Sequence, residues 1–110
     1  MLNKKDIIGI NLEFDKGILI NNSSLEYAIS TLKNNNSWIK QLAHLIRAVL
    51  IDHCFKDGNK RTAAALIATY LDIKGYVYNP EEINKTIIKM IKKNTNKIEE
   101  IERLIEDVIK

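Results

Sequence analysis

The stretch DHCFKDGNKRTAAAL, residues 52–66, decides how this sequence folds. A histidine, a glycine and two adjacent basic residues lie in its first ten positions, directly ahead of the apolar run AAALIA. From about residue 60 to residue 74 the chain is apolar on nearly every face, which is typical of a helix surrounded by other helices. Gly75 is well placed to end that helix. We therefore predict a buried central helix that follows a polar loop.

The segments ahead of this loop predict amphipathic helices that pack around the centre. Ser23 and Glu26 have the spacing of a capping box, at the start of a helix that the asparagines at positions 34–36 should end. A second helix is expected over residues 37–52, because its apolar and polar residues fall on different faces. The residues expected to face inwards are Leu25, Ala28, Ile29 and Leu32 on the first helix and Trp38, Leu42, Ile46, Val49 and Leu50 on the second.

Two further amphipathic helices are predicted after the central one. Asn79 and Pro80 are typical of a helix start, and Asn96 with Glu99 has the spacing of another capping box. The apolar stripes of these helices are Ile83, Ile87, Met90 and Ile91, and then Ile98, Ile101, Ile105 and Val108. Together the segments predict an all-α fold, a compact bundle of about five helices around a central buried helix.

The N-terminal segment DIIGINLEFDKGILI, residues 6–20, predicts a different element. Branched apolar residues lie on both sides of the Asp-Lys-Gly triplet at 15–17, a mixture typical of two short strands joined by a tight turn. We therefore expect residues 1–22 to form a short β-hairpin beside a helical core over residues 23–110. At 110 residues the chain has room for a single domain with one modest core.

Composition and charge exclude several classes of protein. Hydrophobic residues make up 45% of the chain and charged residues 28%, which is ordinary for a globular protein and unlike a disordered one. The net charge of +3 permits an anionic ligand but is too small to make nucleic acid the default partner. Cys54 is the single cysteine, so an internal disulfide and a cysteine zinc site are excluded, and a cytoplasmic location fits best. We expect neither an export signal nor a membrane span.

The polar loop ahead of the central helix is the candidate functional site. A helix N-terminus offers free backbone N–H groups and the positive end of the helix dipole, which together bind anions such as phosphate. The residues expected to bind phosphate there are Gly58, Asn59, Lys60 and Arg61. Asp57 could hold a magnesium ion shared with those phosphates. His53, at the mouth of the loop, could take a proton from an attacking hydroxyl.

The sequence HCFKDGNKRTA resembles the signature loop of the Fic/Doc family. The resemblance extends to SLEYAI ahead of the loop and to LDIKGYVYNPEE behind it, and so covers most of the chain. It implies a Fic-like fold and an enzyme that uses ATP and Mg²⁺ to modify a hydroxyl on a protein target. By this resemblance His53 is the catalytic base, Asp57 binds Mg²⁺ and Arg61 contacts the nucleotide phosphates. Phe55 would pack inwards and anchor the loop.

Two departures from the Fic branch of this family point to its Doc branch. Lys60 occupies a position that is glycine in the adenylyl-transferring Fic branch, and a lysine there is similar to the Doc branch, whose members phosphorylate a protein hydroxyl. Ala64 stands where the Fic branch has a second arginine, so a phosphate contact would be lost. Gly58 instead agrees with the Fic branch, so adenylyl transfer (AMPylation) stays as the alternative reaction. The favoured interpretation is a Doc-like protein kinase of the death-on-curing type, the toxin of a toxin–antitoxin pair.

The resemblance also implies protein partners. One is the protein substrate, for which a component of translation is a candidate. Another is a separate antitoxin, because residues 95–100, TNKIEE, depart from the inhibitory helix that some Fic proteins carry. A hypothesis of a different class is a non-enzymatic helical module that binds DNA or a protein, supported only by the basic charge and the short helices. A family member that binds nucleotide without catalysis is a third hypothesis, which an intact His53 disfavours. ATP binding that requires Mg²⁺ would separate an enzyme from a DNA-binding module.

Overall fold

Six α-helices make up the described part of the chain, residues 2–31 and 37–109 of the computed structural model. They are α1 (Lys4–Leu12), α2 (Asn22–Ser30), α3 (Trp38–Ile46), α4 (Asn59–Lys74), α5 (Pro80–Lys93) and α6 (Ile98–Glu106), and a π-helical turn over Arg47–Ile51 continues α3. Strand pairing within these residues is limited to two isolated antiparallel bridges. None of the described helices combines the length and the apolar character that crossing a bilayer requires. The prediction of an all-α fold is confirmed.

The central helix predicted from the sequence is α4. It packs against α1, α3, α5 and the π-helical turn, and Leu66, Ile67 and Leu71 on it are fully buried. It ends at Gly75, whose φ of 77° is the left-handed conformation common at helix C-termini. Because neighbours hold α4 on several sides, they also fix the position of its N-terminus and of the loop that precedes it.

The prediction of an N-terminal β-hairpin is wrong, because this segment forms α1. Asn3 and Asp6 make a capping box there: Asn3 Oδ1 accepts from the Asp6 N–H at 2.9 Å, and the Asp6 carboxylate accepts from the Asn3 N–H at 2.9 Å. Ile7 is fully buried in the core, and this burial outweighs the strand preference of branched residues. The strand pairing that this segment does make joins Leu19 to Phe55, in the loop ahead of α4.

Both capping boxes predicted for the later helices are wrong, although the helices themselves are present. At the start of α2, Glu26 accepts hydrogen bonds from Asn22 and from Lys4 of α1 instead of from the helix backbone. At the start of α6, the N-cap residue is Lys97, which makes no side-chain cap. In α2, the Glu26 carboxylate that the capping-box motif assigned to the helix backbone binds Lys4, which is distant in sequence.

Most of the residues predicted to face inwards are buried. Ile83, Ile87 and Met90 of α5 lie in the core, as do all the predicted residues of the last stripe. Ile91 is the exception on α5, because it is 38% exposed and lines a cavity instead. Asn79 caps α5 as predicted, with its Oδ1 accepting from the N–H of Glu81 at 2.9 Å. Leu32 and the asparagines at 34–36 lie outside the described residues.

Candidate active site

The turn that leads from α3 into the loop determines where His53 lies. The π-helical turn Arg47–Ile51 ends with the Asp52 N–H donating to the Arg47 carbonyl at 2.9 Å. The residue after His53 donates its N–H back to the carbonyl of Ala48 at 3.1 Å. His53 itself has a φ of 50°, a left-handed conformation that costs most residues about 1–2 kcal/mol. The bonds on either side hold this sharp turn and leave the imidazole exposed.

Phe55 and Asn59 close the loop. The Phe55 side chain is fully buried, as the family resemblance implied. Its N–H donates to Asn59 Oδ1 at 3.1 Å, and its carbonyl accepts from Asn59 Nδ2 at 2.9 Å. Both ends of the Asn59 carboxamide therefore bind loop backbone. The side chain shapes the loop and has one remaining N–H for a ligand.

The backbone requires glycine at position 58. Its φ is 76°, and a β-carbon there would lie 3.0 Å from Asn11 Nδ2 and 3.3 Å from Asp15 Cβ. Gly58 is also the N-cap residue of α4, and it has no side chain to accept from the N–H groups of the first turn. Those N–H groups are left for water or a ligand.

Asn11 is a residue of the site that the sequence analysis missed. Its side chain is fully buried at the end of α1. Asn11 Nδ2 donates to the Asp57 carbonyl at 2.9 Å and to Thr62 Oγ1 at 3.0 Å, and Asn11 Oδ1 accepts from the Gly17 N–H at 2.9 Å. One signal could have found it: in a helix, Asn11 falls on the same face as Ile7, so an amide in that position needs buried partners.

The loop and the segments around it enclose a cavity of about 680 Å³. Every residue predicted from the sequence to form the site lines this cavity, namely His53, Asp57, Gly58, Asn59, Lys60 and Arg61. Phe14 and Asp15, which follow α1, and Ile91 and Asn94, at the end of α5, complete much of the wall. One cavity therefore holds a basic side chain suited to proton transfer, a carboxylate and the N-terminus of the central helix.

The charges around the cavity favour an anion. Lys56, Lys60 and Arg61 line it with exposed side chains, against the carboxylates of Asp15 and Asp57. Within residues 2–31 and 37–109, the ion pairs are Lys4–Glu26 and Glu82–Lys85, so none of these three cations is paired. The dipole of α4 adds roughly half a positive charge at the same place.

The carboxylates of the cavity fit a magnesium ion that is shared with phosphates. Asp57 is exposed, and Asp15 lines the same cavity. Among the described residues, no group of three or more acidic, histidine or cysteine side chains is arranged to hold a metal ion alone. Mg²⁺ usually binds through one or two carboxylates and completes its shell with phosphate oxygens and water. Asp57, with Asp15 as a neighbour, therefore suits a nucleotide-bound Mg²⁺ better than a permanent metal site.

Cys54 and His44 remain outside this chemistry. Cys54 is fully buried, and burial raises the pKa of its thiol to about 12, so the nucleophilic thiolate does not form near neutral pH. Its contribution is the backbone carbonyl, which accepts from the N–H groups of Ile20 and Asn21 at 2.8 and 3.1 Å. His44 lies in a separate small pocket with Tyr27, where burial and then the charge of Arg47 lower the pKa of its imidazole.

An apolar groove of about 480 Å³ adjoins the cavity. The groove and the cavity share Phe14, Lys60 and Arg61, and Ala64 lies in the groove one turn further along α4. The other residues that define the groove include Ala68, Tyr78, Ile83, Ile87 and Ile88. Beyond Arg61, the surface that continues from the cavity is therefore mostly apolar.

A comparison with protein families matches the part of the chain that contains this site. The model of the Fic/DOC family matches residues 15–71, which include the whole loop and most of α4. Comparison with curated proteins and with solved structures gives no significant match. The matched residues are more than half of the chain and contain every predicted site residue. The chain therefore belongs to the Fic/DOC family.

Proposed function

We propose that this protein transfers the γ-phosphoryl group of magnesium-bound ATP to a hydroxyl on a protein target. Membership of the Fic/DOC family indicates a transferase. The observation that supports the reaction is that one cavity collects His53, Asp57 and the unpaired cations Lys60 and Arg61 at the N-terminus of α4. Phosphoryl transfer needs mainly positioning and charge neutralisation, which a loop and a helix terminus can supply.

His53 acts as the general base in this proposal. The target hydroxyl oxygen forms a bond to the γ-phosphorus, the bond between that phosphorus and the β,γ-bridging oxygen breaks, and ADP leaves. The hydroxyl proton passes to a ring nitrogen of His53. The exposed imidazole at the cavity wall supports this role, because it is open to a substrate that approaches from solvent.

The phosphates lie over the first turn of α4. The N–H groups there have no capping side chain, and Lys60 and Arg61 add two positive charges. Asp57, with Asp15 lining the same cavity, would hold Mg²⁺. When bound, this ion neutralises the charge that develops on the phosphate oxygens.

Two features favour phosphoryl transfer over adenylyl transfer. Lys60 puts a long cation where the adenylyl-transferring branch has glycine, and Ala64 supplies no cation to the apolar groove. Gly58, which agreed with the adenylyl-transferring branch, has a local reason of its own in its left-handed φ and its contact with Asn11. Gly58 therefore favours neither reaction, and the preference for phosphoryl transfer rests on Lys60 and Ala64.

The target segment binds beside residues 18–21 by strand addition. These residues already pair with the loop. The carbonyl of Ile18 accepts from the Lys56 N–H at 2.8 Å, and the N–H of Ile20 donates to the Cys54 carbonyl at 2.8 Å. Leu19 lies opposite Phe55 in this bridge, but the hydrogen bonds are made by the residues on either side of it. The N–H and carbonyl of Leu19 can therefore bind the backbone of an extended peptide. Ile18 and Ile20 are exposed, which favours apolar side chains in that peptide.

A separate antitoxin protein inhibits the enzyme in this proposal, as expected for the toxin of a toxin–antitoxin pair. Residues 95–100, the nearest match to a built-in inhibitory helix, do not form one continuous helix. Thr95 is buried ahead of α6, and α6 begins only at Ile98. The chain also has Ala64, and no arginine, at the position that such a helix would engage.

Transfer from labelled ATP tests the proposal. The protein is incubated with Mg²⁺, a lysate as the source of targets, and ATP labelled at either the α- or the γ-phosphorus. We expect a labelled protein with the γ-label alone, and none when Mg²⁺ is chelated or His53 is replaced by alanine. Label from the α-phosphorus would assign adenylyl transfer, and absence of label from both would refute the transferase proposal.

A further inference from the structure

The carboxamide of Asn11 joins three parts of the site. Its Nδ2 reaches the backbone of the loop at the Asp57 carbonyl, 2.9 Å away, and the start of α4 at Thr62 Oγ1, 3.0 Å away. Its Oδ1 accepts from the N–H of Gly17 at 2.9 Å, just ahead of the residues that pair with the loop. The side chain is fully buried, so water cannot replace these bonds without a rearrangement.

The same residue also fixes the acidic side of the cavity through its backbone. The carbonyl of Asn11 accepts from the N–H groups of Phe14 and Asp15 at 2.9 and 2.8 Å, and both of these residues line the cavity. Asn11 therefore holds Asp15 through its main chain and Asp57 through its side chain. The backbone at both carboxylates is therefore bonded to one residue.

Packing leaves little freedom in this arrangement. A β-carbon on Gly58 would lie 3.0 Å from Asn11 Nδ2, so the loop backbone passes directly against the carboxamide. Ile7, one turn earlier on α1, is buried in the core and fixes the helix that carries Asn11. The carboxamide is thus held from both sides, by the core and by the loop.

We propose that Asn11 is a positioning residue for the metal-bound nucleotide, an inference that rests on the proposed function. It sets the Asp57 carboxylate in place through the backbone of the loop, and it couples that loop to the target-binding residues 18–21. Asn11 precedes residues 15–71, the part of the chain matched by the family model. An element outside the family signature therefore completes the site.

Replacement of Asn11 tests the proposal on the binding of Mg²⁺. We expect Asn11→Ala to raise the Mg²⁺ concentration that half-saturates ATP binding, measured by titration calorimetry without a target, by about 10- to 100-fold, as for other residues that orient metal ligands. Thr62→Val is the matched control, because it removes a partner of Asn11 but leaves the bond to the Asp57 carbonyl. It should lower the melting temperature and keep the Mg²⁺ dependence of the wild type.

Hydrogen exchange of the protein without nucleotide is the second measurement. We expect Asn11→Ala to speed exchange at Gly17 and in residues 54–58, while exchange in the middle of α4 stays slow. Asn11→Leu lacks the same hydrogen bonds but fills the space of the carboxamide. If Asn11→Ala does not fold, both measurements are made on Asn11→Leu. Wild-type exchange at these positions, or faster exchange with an unchanged Mg²⁺ dependence, would overturn the proposal. If the wild type binds no Mg²⁺-ATP at all, the proposed function fails, and the exchange data alone decide whether Asn11 orders the loop.

Discussion

Phe55 and Asn59 are bonded to each other twice, through the N–H and the carbonyl of Phe55 and the two ends of the Asn59 carboxamide, at 3.1 and 2.9 Å. Phe55 is anchored in the core, and Asn59 is the first residue of α4. The pair therefore ties the loop between them, which carries Asp57 and Gly58, to the core and to the central helix. The shape of the site depends on this contact before any ligand binds.

Asn59→Ala should lower the free energy of unfolding by about 1–3 kcal/mol, because it leaves two partly buried backbone groups without partners. Denaturant unfolding followed by circular dichroism would measure the change. Asn96→Ala, at an exposed position ahead of α6, is the control and should leave stability nearly unchanged. Equal stability of the two variants would show that the loop does not depend on the Asn59 side chain.

His53→Ala should reduce transfer by about 10²–10⁴-fold, the usual loss when a general base is removed. Binding of Mg²⁺-ATP should stay close to that of the wild type, because the imidazole acts on the acceptor hydroxyl. Labelling from γ-labelled ATP and calorimetry measure the two effects. His44→Ala, in a separate pocket, should leave both unchanged. Undiminished turnover of His53→Ala would contradict the assignment.

Mg²⁺-ATP should raise the melting temperature, because a ligand at 100 times its dissociation constant stabilises the folded state by about 2.7 kcal/mol. Asp57→Ala should remove most of this stabilisation, whereas Asp107→Asn, distant in sequence at the end of α6, should retain it. Thermal unfolding with and without nucleotide, metal and DNA measures the effect. Stabilisation by DNA, and none by nucleotide or metal, would favour the non-enzymatic alternative.

Lys60→Gly should lose most of the phosphoryl transfer and gain at most weak adenylyl transfer, because Ala64 supplies no second cation for the nucleotide. A glycine near the start of α4 also costs helix stability, about 1 kcal/mol relative to alanine. Lys60→Ala removes the charge without this cost, so comparison of the two variants separates the effects. Label from the α-phosphorus in the unmodified protein would show that Lys60 does not decide the reaction.

Stability should fall at alkaline pH in a way that depends on Cys54. Burial is the main reason that the pKa of this thiol rises from its ordinary value of 9.0 to about 12, and Asp52 adds to it. Above a pH of 9.0 the thiol loses its proton in the unfolded chain but keeps it in the folded protein. The contribution of the thiol to the free energy of unfolding is therefore complete below that pKa and is lost as pH rises towards about 12.

Cys54→Ala should therefore show a shallower fall of the free energy of unfolding than the wild type, by up to about 1.36 kcal/mol per pH unit. The comparison belongs between pH 9 and 10, because burial also raises the pKa of Tyr70 from 10.0 to about 12. Denaturant unfolding at several pH values measures both slopes. Equal slopes would show that the thiol ionises as readily in the folded protein as in the unfolded chain.

The loop could be predicted from the sequence because its residues are contiguous. His53, Asp57 and Gly58 lie within six positions of one another, and the apolar segment that follows them identifies the central helix. Chemistry that is adjacent in sequence needs no knowledge of the fold to be found. All the residues predicted in this way line one cavity, and their individual roles stay predictions.

Asn11 could not be found in this way, because it acts on a residue 46 positions further along the chain. The branched residues around it are typical of strands, whereas the capping box of Asn3 and Asp6 and the burial of Ile7 favour the helix. The conformation of His53 was also beyond prediction. It depends on the change from α-helical to π-helical hydrogen bonding within Arg47–Ile51, which the amino-acid composition of that segment does not reveal.

The π-helical turn Arg47–Ile51 also limits how the protein can change in length. A π turn accommodates one residue more than an α-helical turn. Deleting a residue there would let α3 continue as a regular helix and would rotate the chain that follows by about 100°. The imidazole of His53 would then leave the cavity wall while the core of α3 stayed intact. Relatives with the same chemistry should therefore keep a constant spacing between α3 and α4.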